Sequence, residues 1–297
     1  MNVILFSVFT TISYFISSIL YKYVSAYFDY HKISAIAIGL GAIPMLLVLL
    51  PNPAALFATL SNYKLDLAIG LSSVFLLIGY VLNFKTLKTE QVTNTFALAQ
   101  IQPAMLIAFG IFVMHEQLSF IEIIALMFLI TGTFFIISND KLELNRNFIP
   151  TIFANISWSI YWFIITFLLN ANFDSISVIF LARLLSFIFG IMFLLWFNTT
   201  KIWDKQKKKL KDGHIFNKKL SMAAVVLLVV ASFADGIGNI IFALLDYAKH
   251  LVFASIFLSI LPALIGIFAY VFFKDKFSKL QILGLILVVI TGVVLVF

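Results

Sequence analysis

About ten apolar runs of roughly 20 residues each follow one another along this chain, separated by short polar connections. This pattern restricts the fold more than any other feature. A helix rises about 1.5 Å per residue, so a run of about 20 apolar residues crosses the roughly 30 Å hydrocarbon core of a bilayer. Of the 297 residues, 63% are hydrophobic and 11% are charged, which excludes a soluble domain. We therefore predict an all-α integral membrane protein of about ten transmembrane helices, with no length left for a soluble catalytic domain.

The predicted helices follow from the apolar runs and the polar residues that bound them. They cover residues 3–21, 33–50, 66–84, 93–114, 120–137, 148–169, 175–197, 220–244, 251–272 and 280–297. The first helix is diluted by Ser, Thr and Tyr residues. This dilution predicts that one of its faces contacts water or substrate instead of lipid.

Basic residues lie almost entirely in alternate connections between the predicted helices. The odd-numbered connections hold 17 lysine and arginine residues, against 2 in the even-numbered connections and the termini. The positive-inside rule then predicts cytoplasmic odd connections and both termini outside. The lysine-rich connection at 201–219 is interpreted as a topology anchor, with binding to anionic lipid headgroups as the alternative. The net charge of +7 therefore does not indicate a nucleic acid partner.

An internal repeat relates the two halves of the sequence. Pro103 matches Pro262, Glu116 matches Asp275 and Ser119 matches Ser278, all at one spacing, and an Ile-Thr-Gly triplet closes both copies.

The number of helices in each copy predicts how the halves are oriented. Five helices is an odd number, so the second copy must enter the membrane with the opposite orientation. The sequence thus predicts two inverted five-helix repeats, at residues 1–140 and 141–297.

At these residues the chain resembles the EamA-type members of the drug/metabolite transporter superfamily. Members carry a proline about a dozen residues before a Gly-Glu turn, and here Pro103 leads to residues 115–119 and Pro262 leads to residues 274–278. Both turns lack the glycine, and Tyr14-Phe15 stands where the family has Trp-Gly. The resemblance implies ten helices, secondary transport in a prokaryotic inner membrane, and no enzymatic activity.

Asp235 is a carboxylate inside the eighth predicted helix, followed by Gly236 and Gly238. A lone acid at this depth must be protonated, paired or occupied by a cation, which makes it a candidate for substrate or proton binding. The two glycines would allow a locally unwound helix and a close approach to the ligand. The alternative is that Asp235 lies near the membrane interface.

Arg183 is likewise embedded in the seventh predicted helix, and it resembles an arginine often found in that helix of the family. The favoured interpretation is a structural pair with a carboxylate or with backbone carbonyls. Binding of an anionic substrate, or a coupling role, is the alternative.

Aromatic residues supply the remaining candidates for substrate binding. Spacings of three and four residues place Trp158, Tyr161 and Trp162 on one helical face, and Tyr14 and Tyr80 lie in the first and third helices. They form either an interfacial aromatic belt or a cage for an apolar or cationic ligand.

Two prolines and several helix-end residues complete the candidates. Pro103 and Pro262 should kink their helices, with either a structural or a hinge role. The polar residues expected to cap helix ends are His115, Glu116, Glu122 and Asp275.

The combined pattern predicts a secondary transporter that works by alternating access. One buried acid among aromatic residues favours an amino acid, an amine or a related organic cation as substrate. The sequence contains no ATPase, metal-binding or cofactor motif, so a coupling proton or a counter-substrate would drive uphill transport. The alternatives are a channel or non-transporting membrane subunit and, less favoured, a membrane-embedded lipid-modifying enzyme.

Overall fold

The computed structural model describes residues 2–51, 53–60, 63–89, 101–137, 149–171, 173–199, 222–273 and 277–296. Regular structure within these ranges is entirely helical. The first six helices are α1 (Val3–Ser25), α2 (Tyr30–Leu49), α3 (Pro53–Leu60), α4 (Tyr63–Thr89), α5 (Ile101–Phe112) and α6 (Phe120–Ile137). The second six are α7 (Ile149–Asn170), α8 (Ser175–Thr199), α9 (Met222–Tyr247), α10 (Leu251–Leu258), α11 (Leu261–Phe268) and α12 (Lys279–Val296).

The predicted fold class is confirmed, whereas the total of ten transmembrane helices stays a prediction. Seven spans in the described residues are long and apolar enough to cross a membrane, and three shorter apolar helices accompany them. The N-terminal part of the predicted helix at 93–114 and the lysine-rich connection at 201–219 lie outside the described residues. The short helix α3 was not predicted, because its eight residues fall within a connection.

Helix α1 shows the distribution of side chains expected of a helix that faces lipid. Its large apolar side chains point outward, while its Ser and Thr side chains are buried against the other helices. The exposed apolar residues include Leu5, Phe9, Ile12 and Ile16, and the buried polar residues include Thr10, Thr11, Ser17 and Ser18. This is the reverse of a soluble amphipathic helix, and the polar face of the first helix is turned away from lipid and packs on other helices.

The helices pack in pairs that are preserved when the two halves are exchanged. Helix α1 packs on α9 and α4 packs on α7, while α2 packs on α8, α5 on α10 and α6 on α12. If α1 corresponds to α7, α4 to α9 and α5 to α10 with α11, the exchange maps each of these contacts onto another contact of the set. The predicted inverted repeat requires this kind of exchange.

Capping residues repeat in the two halves. Asp29 caps α2 by accepting from His31 N at 3.0 Å, and Asp174 caps α8 by accepting from Ser177 N at 2.8 Å. Ser119 N donates to Glu122 at 2.7 Å ahead of α6, which confirms the predicted cap at Glu122. Ser278 N donates to Gln281 at 3.0 Å ahead of α12, while Asp275 lies outside the described residues.

Glu116 caps a helix of the opposite half. Its carboxylate accepts a hydrogen bond from Val252 N at 3.0 Å, at the start of α10. The preceding residue, His115, has a φ of 57°, so it adopts the left-handed conformation that favours glycine. The turn is therefore formed although the glycine of the family pattern is absent.

The predicted helix at 251–272 is one span, but it is interrupted. Helix α10 ends at Leu258, α11 begins at Leu261, and a π-helical turn at Ala269–Phe273 follows. Pro262 lies in the first turn of α11, where its missing N–H does least harm to the hydrogen bonds of the helix. Pro103 lies in the first turn described for α5, so the kink expected there involves residues outside the described range.

Candidate functional site

A cavity with a partly polar wall lies between the two halves, and about 900 Å³ in and at the mouth of this cavity is free of protein atoms. The first half lines it with Tyr14, Ser17, Ser18, Tyr21, Leu76, Tyr80, Asn83, Gln102 and Pro103. The second half lines it with Trp158, Tyr161, Trp162, Arg183, Asp235, Asn239, Phe242, Leu258, Leu261 and Pro262. Helices from both repeats are therefore needed to build it.

An ion pair is buried in the wall of the cavity. Arg183 Nη2 donates to Asp235 Oδ2 at 2.7 Å and to the hydroxyl of Tyr80 at 2.9 Å. The Tyr80 hydroxyl in turn donates to Asp235 Oδ2. The exposed fractions of Arg183 and Asp235 are 0% and 6%. Asp235 is therefore paired, which is one of the three states expected of a buried acid, and the favoured pairing of Arg183 with a carboxylate is confirmed.

Asp235 is held from its own helix as well. Asn239 lies one turn later on α9, and its Nδ2 donates to the backbone carbonyl of Asp235 at 2.8 Å and to Oδ1 at 3.3 Å. Both carboxylate oxygens thus accept hydrogen bonds, as a buried carboxylate requires.

The glycines beside Asp235 pack against neighbouring helices. A Cβ atom at Gly236 would overlap the carbonyl oxygen of Gly41 on α2, and one at Gly238 would lie 3.1 Å from the ring of Tyr14. Helix α9 is continuous from Met222 to Tyr247, so the predicted unwinding is wrong. Neither glycine is among the residues that line the cavity. The lack of side chains at Gly236 and Gly238 lets the helices pack closely around the ion pair. Gly41 contributes in the same way, since a Cβ at Gly41 would overlap the Arg183 guanidinium.

The aromatic residues predicted on one face of α7 do lie together in the cavity wall. Tyr161 and Trp162 have exposed fractions of 0% and 3%, so they do not form a lipid-facing belt. The ring of Trp158 packs edge-on against Tyr80, with 5.6 Å between centroids. Trp162 packs edge-on against Phe242 at 4.5 Å. The wall is therefore aromatic around a polar centre.

Several residues of the cavity were not predicted, although their spacing carries a signal. Ser17, Ser18 and Tyr21 follow Tyr14 by three, four and seven residues, which places them on the same face of α1. Asn239 and Phe242 follow Asp235 by four and seven residues on α9.

A second buried carboxylate lies near the end of α9, away from the residues that line the cavity. Asp246 is 5% exposed and accepts a hydrogen bond from Thr166 Oγ1 of α7 at 2.6 Å. The predicted span ended at residue 244, so this acid was assigned to a connection. Glu116 lies close enough to interact with it electrostatically. The pKa of Glu116 is raised because the side chain is partly buried.

The described residues contain no group of three or more His, Cys, Asp or Glu side chains placed to hold a metal ion. The arrangement is instead a paired, net-neutral polar centre inside an aromatic wall. Such a site can bind a small organic molecule that carries both an apolar body and polar or charged groups.

Comparison with known proteins identifies the family. The model of the EamA-like transporter family matches residues 1–138 and residues 148–297, which together make up nearly the whole chain. The chain belongs to the EamA-like transporter family. This EamA protein is thus a member of the drug/metabolite transporter superfamily, with the EamA domain present twice, and family members are transporters, not enzymes. The boundary predicted at residue 140 lies between the two matches and outside the described residues.

The fold of this EamA protein also occurs among solved structures. One crystal structure superimposes with a TM-score of 0.64 over 96% of this chain and 95% of that chain, at 14% sequence identity. Identity this low shows a common fold and nothing about substrate. No curated protein matches the chain.

Proposed function

We propose that this EamA protein is a secondary transporter that binds a small metabolite in the cavity between its repeats and exposes it alternately to the two sides of a prokaryotic inner membrane. The observation that carries the proposal is the buried cluster of Tyr80, Arg183 and Asp235 in the aromatic cavity wall. Charged groups inside a membrane protein are costly, and they mark substrate pathways, ion pathways and proton relays.

The substrate class follows from the composition of the wall. Trp158, Tyr161 and Trp162 offer ring faces and edges to an apolar body, while Arg183 and Asp235 offer one charge of each sign. A sugar phosphate would need several cationic residues, and Arg183 is the one cation that lines the cavity in the described structure. An amino acid, an amine or a related organic cation fits this wall better.

The interrupted span at α10 and α11 supports movement of the wall. Leu258 and Leu261 stand on either side of the interruption, and both line the cavity. Broken helices at a repeat interface are typical of secondary transporters, where they allow one bundle to rock against the other. A proton or a counter-substrate would drive uphill movement, since the chain carries no ATPase motif.

Transport by purified protein in liposomes tests the proposal. Candidate substrates come from metabolite profiling of cells with and without the protein, followed by ranking of the hits by thermal shift. We expect saturable uptake and accelerated exchange when the liposomes are preloaded with the same compound. Single-channel currents would instead support a channel, and chemical conversion of added lipid would support an enzyme. Either result, without saturable flux, would refute the proposal.

A further inference from the structure

Several buried hydrogen-bond donors in the cavity wall have no partner among the described residues. Arg183 Nε and Nη1 find no hydrogen-bond partner among the described residues, and neither do the hydroxyl of Tyr161 and the indole N–H of Trp158. Arg183 and Tyr161 are 0% exposed and both line the cavity. Buried donors without acceptors are costly, so most native structures satisfy them.

Both carboxylate oxygens of Asp235, by contrast, already accept hydrogen bonds. Asp235 Oδ2 accepts from Arg183 and from Tyr80, and Oδ1 accepts from Asn239 at 3.3 Å. The charge of Asp235 is balanced by Arg183 at 2.7 Å. A ligand that brings only an ammonium group would therefore compete with an arginine, whereas a ligand that brings acceptor oxygens would meet vacant donors.

We propose that the wall at Arg183 and Tyr161 is a carboxylate-binding subsite, so that the substrate of this protein carries a carboxylate and a simple amine is not transported. The inference rests on the proposed function and narrows its substrate class. The Nη1 side of the guanidinium packs over Gly41. The carboxylate is therefore assigned to the Arg183 Nε–H and the Tyr161 O–H, which are donors of the kind that binds carboxylates with charge-assisted hydrogen bonds. The apolar body of the substrate then lies among the aromatic rings of the cavity wall.

A matched set of compounds separates the charge classes in the wild-type protein. Phenylalanine, phenethylamine and 3-phenylpropionate share one apolar body, and leucine, isoamylamine and 4-methylpentanoate share another. Each is tested for thermal stabilisation of the purified protein and for competition with uptake into liposomes. We expect the amino acid and the carboxylate of at least one series to bind, and the corresponding amine to fail.

The variant Tyr161→Phe tests the residue assignment. The hydroxyl has no described partner, so its removal should leave the ligand-free protein as stable as the wild type or more so. It should also weaken binding of the carboxylate ligand roughly 10- to 100-fold. Tyr247→Phe serves as the matched control, because Tyr247 is 51% exposed at the end of α9.

The outcomes are distinct. Binding and transport of the amines but not of the carboxylates would overturn the inference and leave the proposed function standing. Unchanged carboxylate affinity in Tyr161→Phe would also overturn it. Failure of the wild-type protein to bind or transport any compound, in these series or among the profiled metabolites, would overturn both proposals.

Discussion

The two halves form the cavity with the same framework and different chemistry. Gly79 and Gly238 are separated by the spacing that relates Pro103 to Pro262. Each packs against an aromatic residue of the other half, since a Cβ at Gly79 would overlap Trp158 and one at Gly238 would press on Tyr14. This frame, in which a glycine of one half packs on an aromatic residue of the other, is thus repeated on both sides of the cavity.

The charged residues break this symmetry. At the same spacing, Asp235 and Asp246 of α9 correspond to Leu76 and Leu87 of α4, and all four side chains are buried. Arg183 also belongs to the second half. An acid in place of leucine is costly in a low-dielectric interior, so the symmetric frame alone does not explain why acids occupy these two positions. The comparison indicates that both halves build the cavity, while Arg183 and Asp235 of the second half give its described wall its charges.

Removing the paired acid should produce the largest effect. Asp235→Asn leaves Arg183 buried without its counter-charge, so we expect a loss of about 3–5 kcal/mol in stability and loss of uphill transport. Asp246→Asn is the matched control, because Asn can still accept from Thr166 and no paired cation is left behind. Its stability should stay within about 1 kcal/mol of the wild type. Chemical denaturation in detergent measures both, and equal stability of the two variants would contradict the distinction between the two acids.

Closing the space at the helix crossing should have the next largest effect. Gly236→Ala forces α9 away from the Gly41 carbonyl, and we expect a destabilisation of about 1–3 kcal/mol together with slower transport. Gly70→Ala is the comparison, because nothing lies within 4 Å of a Cβ at that helical position. It should stabilise the protein by up to about 1 kcal/mol. Melting temperatures that change in the same direction would refute the packing argument.

Truncating one aromatic side chain of the cavity wall should weaken substrate binding. We expect Trp158→Ala to reduce substrate affinity by about 1–2 kcal/mol, because it removes an aromatic ring that lines the cavity. Trp196→Ala removes a ring that is 61% exposed on the outer surface, and it should leave affinity unchanged. Isothermal titration with the identified substrate distinguishes these outcomes. Equal losses in both variants would show that the effect is not local to the cavity.

Neutralising Glu116 should produce the smallest effect. The pKa of Glu116 is raised above 4.5, because partial burial disfavours the charged carboxylate in the folded protein. The resulting contribution to stability is present below pH 4.5 and is lost as the pH rises through the raised pKa. Glu116→Gln keeps an acceptor for Val252 N, so transport should change little, and the dependence of the melting temperature on pH above 4.5 should become flatter. A variant with the pH dependence of the wild type would show that another group is responsible.

The sequence alone predicted the membrane class, the repeat, the family and most of the aromatic wall. The membrane class can be predicted from each segment separately, because a helix in lipid must satisfy its own backbone hydrogen bonds and its length must match the bilayer. Spacing along a helix likewise places Trp158, Tyr161 and Trp162 on one face before any packing is known.

The tertiary structure decided which of these residues act on one another. Arg183 and Asp235 were each recognised as buried charges, but their pairing depends on α8 and α9 meeting beside Gly41 of α2. Glu116 was expected to cap a helix end, and only the packing of the halves shows that the end belongs to α10. Contacts between distant segments arise from the complementary shapes of whole helices. The sequence around a side chain does not indicate which distant side chain it contacts.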